Sequence, residues 1–159
     1  MKDYFKHVAN KEQDMAVETI IQVGDRAYWQ EHWENKVFMR EIYRMILAEL
    51  QYQLPQFVVA NVVVHMVEDS PHMHVVGVPV GTGYKKGMSK QVSKRKVFTK
   101  DVFSIVLQDR LRTFANEKAK IVLGEQIREK SKGCSHDLSV MEYKVLKEEI
   151  RYDELKRAG

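Results

Sequence analysis

His65-Met66-Val67-Glu68-Asp69-Ser70-Pro71-His72-Met73-His74 separates two Val-rich runs, and the reading of those runs decides the fold. Phe57 to Met66 is β-branched, His72 to Val80 is a second such stretch, and Asp69-Ser70-Pro71 centres a turn between them. Together they predict a β-hairpin with a longer loop. The period of two then puts His72 and His74 on one face of the second strand and Met73 and Val75 on the other. His65, at the end of the partner strand, can meet them across the loop.

Three of the six histidines of the chain therefore converge, with Glu68 among them. A lone His-x-His on a strand is more often a pair of satisfied polar residues than a metal site. The third imidazole and the adjacent carboxylate shift the balance toward a divalent ion, because convergent N and O donors mark such sites. Mn²⁺, Zn²⁺, Ni²⁺ or Co²⁺ suits three imidazoles, and Mg²⁺ binds them more weakly. A catalytic site would leave coordination positions open for a phosphate oxygen. Glu68 has three candidate roles, as ligand, as orienter of an imidazole or as general base, while Asp69 reads as turn chemistry.

Composition frames this site. At 159 residues, 44% apolar and 30% charged, the chain reads as one soluble globular domain with an appended helix. No apolar stretch approaches the roughly 18 residues of a membrane span, and residues 1–22 lack the basic-then-apolar order of a signal peptide, so a cytoplasmic location without membrane contact is expected. A lone Cys134 excludes an intramolecular disulfide framework. The net charge of +4 is unevenly spread: Lys/Arg against Asp/Glu number 7 and 11 in residues 1–69, 7 and 0 in 70–100, and 12 and 11 in 101–159. The acid-free segment beside the histidines carries Lys85, Lys86, Lys90, Lys94, Arg95, Lys96 and Lys100. A solvated loop is the plain reading, and a track for a DNA backbone is the functional one, with Tyr84 as a base-stacking platform.

Elsewhere, Met15 to Val23 alternates like a strand, closed by Gly24-Asp25. Phe38, Ile42, Met45, Ile46 and Leu50 recur at helical spacing, with Asn35 as the expected cap and Pro55 as the stop. Trp29, His32 and Trp33 before that helix read as core or edge packing. Residues 81–99 predict a flexible loop or a short exposed hairpin. A helix from about Lys100, capped by Thr99, offers Phe103, Val106, Leu107, Leu111 and Phe114 as its apolar face. A last helix is expected from about Leu138. The domain layout expected is a metal- and DNA-binding core over 1–123 and a C-terminal helical extension over 124–159.

Read as a string, His65-x-x-Glu68-x-x-Pro71-His72-Met73-His74 followed by Gly77-Val78-Pro79 resembles the signature of the Pre/Mob plasmid mobilisation relaxases, members of the endonuclease superfamily named for a His-hydrophobe-His motif. The likeness runs from about Met15 to Asn116. It implies an α+β fold, a ferredoxin-like antiparallel sheet with helices packed on one face. It also implies that His65, His72 and His74 hold Mn²⁺ or Mg²⁺ that polarises the scissile phosphate at a plasmid origin of transfer, with Glu68 catalytic. The family cuts one DNA strand by transesterification and stays joined to the 5′ phosphate. Single-stranded or nicked origin DNA, conjugative coupling proteins and accessory proteins are the partners the resemblance implies.

Two departures stand beside the likeness. The family commonly has Asp-Glu where this chain has Val67-Glu68, which leaves a second acidic role unfilled. Its nucleophile, a His or Tyr, lies in a strand upstream of the matched region, so the resemblance implies a relaxase fragment lacking that motif, with Tyr4 and His7 too close to His65 to serve. Two other readings compete: a single-tyrosine transposase of the same superfamily, with Tyr143 or Tyr152 as nucleophile, and a non-catalytic DNA-binding accessory module.

Overall fold

A computed structural model describes residues 3–124 of the chain. Cys134, the helix expected from Leu138, Tyr143 and Tyr152 lie outside the described residues. In chain order the elements are α1 (Tyr4–Asn10), β1 (Val17–Gln22), α2 (Arg26–Glu31), a 3₁₀ segment (Trp33–Phe38), α3 (Met39–Gln53), β2 (Phe57–His65) and β3 (His72–Gly81). β4 (Gln91–Val92), α4 (Lys94–Val97), a π-helical segment (Val102–Leu111) and α5 (Arg112–Leu123) follow.

The expected hairpin is the centre of the sheet. β3 pairs antiparallel with β2 on one side, from Phe57↔Pro79 to His65↔His72, and with β1 on the other, from Val17↔Gly77 to Gln22↔His72. β1 and β2 are thus parallel to each other across β3, joined through the helices between them. That split β-α-β arrangement, with a further helix after β3, is the expected ferredoxin-like α+β fold. β4 completes a four-stranded antiparallel sheet at the far end of β3. The Val80 N–H donates to Gln56 O, and Pro79 O, on the opposite side of the same peptide, accepts from Ser93 N, so β4 continues the β1 side.

The helices cover one face of the sheet. Met73, Val75 and Phe57 from the strands are buried with Met39, Ile42, Tyr43, Ile46 and Leu50 of α3 and with Leu111, Ala115 and Ala119. Burying each large side chain of that stripe contributes about 1.5–3 kcal/mol. α3 starts at Met39 because the 3₁₀ segment precedes it; Asn35 lies inside that segment and caps nothing. Met39 and Tyr43 consequently replace Phe38, which is exposed, on the inward face. Thr99 does cap its helix, Oγ1 accepting from Val102 N at 3.2 Å. The π winding then shifts the inward stripe to Val102, Leu107 and Leu111, since i→i+5 contacts replace i→i+4, and Phe103 turns outward. The segment 81–99 is more ordered than its sequence suggests. Buried Val92 on β4 and buried Val97 on α4, whose Ser93 cap accepts from Lys96 N, pin it to the sheet.

Trp29 is buried as expected, but Trp33 is 67% exposed and packs neither in the core nor at its edge. Trp29 Nε1 donates to Val23 O at 2.9 Å, and Val23 N donates to the Tyr43 hydroxyl at 3.2 Å, which itself donates to Pro71 O at 2.6 Å. Burial pushes the Tyr43 phenol up to about 12 from an ordinary value of 10.0. The folded chain therefore keeps this proton where the unfolded chain loses it. Stability should fall as pH rises from 10 to about 12, by about 3 kcal/mol, and that slope should be missing from Tyr43→Phe in denaturant melts across this range.

Candidate metal centre

His72 and His74 project from the face of β3 that the helices leave uncovered, because Met73 and Val75 between them face the core. His65 requires more. Counted in twos from buried Phe57, it would fall on the core side of β2. A β-bulge between Val59 and Asn61 makes Ala60 the extra residue, so Val62 and Val64 turn inward while Asn61, Val63 and His65 turn outward. Bulges re-aim side chains in this way beside functional sites. His65 then stands directly opposite His72.

The three rings form a near-equilateral cluster, with centroids 5.0 Å apart for His65 and His72 and 4.9 Å for each pair containing His74. One ligand nitrogen from each lies within 4.8 Å of the others. Donors each about 2.0–2.1 Å from one ion stand about 3 Å apart, so the three nitrogens would draw together around it.

Every ring is oriented by an oxygen on Nδ1. His72 Nδ1–H donates to Ser70 O at 2.9 Å, His74 Nδ1 meets Glu18 Oε1 at 2.6 Å, and His65 Nδ1 meets Glu68 Oε1 at 3.2 Å. Each Nε2 is thereby left with the lone pair a metal takes, the arrangement that fixes tautomer and ring angle in metal-binding histidines. Glu68 also reaches His72 Nε2 at 3.7 Å through Oε2, which puts its carboxylate at the mouth of the triad. The donor set fits a divalent ion on the chemistry of these atoms alone.

Glu18 is the residue of this candidate site that sequence reasoning missed. β1 register sets Ile20 opposite His74, so Glu18 is its diagonal neighbour on the open face. It supplies the second carboxylate that the motif itself lacks. Glu18→Ala should weaken metal binding about 10- to 100-fold while leaving the fold intact, measured by calorimetry with Mn²⁺; unchanged affinity would show that Ile20 and β3 alone hold the ring.

The loop carrying Glu68 is clamped from the helical side. Lys36 Nζ donates to Glu68 O at 3.0 Å, Arg26 pairs with Asp69 at 3.3 Å, and Tyr43 holds Pro71. The basic segment is elsewhere. It begins where β3 ends, and from His74 to Gly81 a strand spans about 24 Å at roughly 3.4 Å per residue. Lys85, Lys86, Lys90, Lys94, Arg95, Lys96 and Lys100 are all exposed there. Lys96 Nζ donates to Thr82 O at 2.6 Å and sits 3.9 Å over the Tyr84 ring, covering one of its faces, and Lys94 pairs with Asp14 at 3.4 Å. Tyr4 is also at this end, its hydroxyl accepting from Val92 N at 2.8 Å, which carries α1 and His7 away from the triad. Between the two ends, the uncovered face shows Ile20, Val58 and Val63 exposed beside half-buried Val76 and Val78.

No helix among the described residues is long and apolar enough to cross a membrane. A family model described as plasmid recombination enzyme matches residues 1–144. No curated protein and no solved structure matches the chain.

Proposed function

The chain belongs to the plasmid recombination enzyme family, and from that premise we propose that residues 1–123 are a relaxase core that holds Mn²⁺ or Mg²⁺ on His65, His72 and His74. It binds single-stranded or nicked origin-of-transfer DNA for strand-specific nicking by transesterification in plasmid mobilisation. The observation that carries this reading is the triad itself, three imidazoles on two paired strands with each Nδ1 occupied by an oxygen. A bound ion supplies Lewis-acid polarisation of a phosphate oxygen. Ser70, Glu18 and Glu68 hold the rings that present it. In this reading Glu68 accepts a proton from the attacking group.

The DNA runs along the uncovered face of β3. Its scissile phosphate lies at the histidines, its bases meet the apolar middle of Ile20, Val63, Val76 and Val78, and its backbone reaches Tyr84 and the lysines at the far end. Lys85, Lys86, Lys90, Lys94, Arg95, Lys96 and Lys100 contribute through counterion release, so affinity falls as salt rises. The test is binding of a labelled single-stranded origin oligonucleotide across a salt series. Replacing Lys85, Lys86 and Lys90 together with alanine should flatten the slope of log affinity against log salt by about 2. An unchanged slope would remove this segment from the DNA path.

A further inference from the structure

We propose that Tyr43 is a positioning residue for the metal triad, its one buried hydroxyl fixing the strand that orients His74 relative to the loop that orients His72. The inference rests on the metal reading above. The hydroxyl accepts from Val23 N and donates to Pro71 O. Val23 directly follows Gln22, the last residue of β1, which pairs with His72; the same strand carries Glu18 against His74. Pro71 directly follows Ser70, whose carbonyl holds His72 Nδ1. The Pro71 ring fixes φ, so the Ser70–Pro71 peptide that carries the Ser70 carbonyl moves with the Pro71 backbone.

Two oxygens that orient two different ligands thus sit on separate segments with one phenol between them. A phenol keeps its proton at neutral pH, so both bonds hold there. Trp29 fixes the other side of Val23 through its carbonyl, leaving the Tyr43 bond as the link to the loop. Tyr43 is fully buried on α3 and is not one of the donors of the triad.

The test is Co²⁺ titration of the full chain followed by visible absorption, comparing Tyr43→Phe with Leu50→Ala. The first keeps the ring and removes both hydrogen bonds; the second leaves a cavity in the core on the same helix. Tyr43→Phe should bind Co²⁺ about ten-fold more weakly with an altered ligand-field spectrum, and Leu50→Ala should match the wild type in both. Wild-type affinity and spectrum in Tyr43→Phe, or equal weakening in Leu50→Ala, would overturn the positioning role and leave the metal site standing. A wild-type chain that takes up no Co²⁺ would overturn the metal site and this role together. Should Tyr43→Phe fail to fold, hydrogen exchange of the wild type decides. Coupling is reciprocal, so Zn²⁺ should slow the Val23 amide more than the Val80 amide at the far end of β3; equal slowing would overturn the proposal.

Discussion

His72→Ala should abolish divalent-metal binding, with Mn²⁺ affinity falling by at least about a hundred-fold while the fold survives. A site of three protein nitrogens cannot lose one and hold its ion as tightly, and the Nε2 of His72 is also the atom that Glu68 approaches at 3.7 Å. The side chain is 15% exposed but lies on the sheet face away from the core, so the stability change should stay within about 1 kcal/mol. Calorimetry and a thermal melt on the same preparation separate the two effects. Metal affinity within two-fold of wild type would sink the triad as a metal site.

Phe57→Ala should be more damaging still to the fold, lowering the melting temperature by several degrees. Phe57 is 2% exposed, packs edge-on against Phe98 at 5.1 Å, and lies over Gly77, where a Cβ would come within 2.5 Å of its ring. Losing it from the core costs about 3–5 kcal/mol. A melting temperature equal to that of the wild type would show that this ring does not hold the core. Ala60 on the same strand is different: with the extra residue deleted, Phe57 and His65 keep opposite faces of a regular strand, so the deletion should leave both the fold and Mn²⁺ binding in place. A deletion variant that folds and no longer binds Mn²⁺ would show that the bulge does more than absorb one residue.

These two variants mark where the sequence could be read and where it could not. His72 and His74 are legible because i and i+2 on a strand share a face whatever else the chain does. The approach of His65 is legible only from the hairpin end; counting from Phe57 gives the wrong face, and the bulge that corrects it is a property of pairing, not of composition. Glu18 lies on a strand that was recognised, yet its partner His74 is 56 positions away and the β1–β3 register is set by packing under α3. The fold class was accessible from the order of strand and helix patterns. The start of α3 and the π winding were not, because both depend on which side chains the sheet receives. The basic residues were visible as a segment, but their distance from the histidines follows from the length of β3.

That length has a consequence for how the protein would measure its substrate. An antiparallel strand rises about 3.4 Å per residue, and one strand of stacked DNA rises 3.4 Å per nucleotide. On the proposed DNA path, β3 is a ruler in the units of that ligand, with the metal triad at His74 as one mark and the basic end at Gly81 as the other, about seven divisions apart by that common rise. It is gauged by its pairing with β1 and β2 and cannot stretch. Removing Val76 and Gly77 together would keep the alternation of faces and shorten the ruler by two divisions, bringing the lysines two nucleotides nearer the triad on that path.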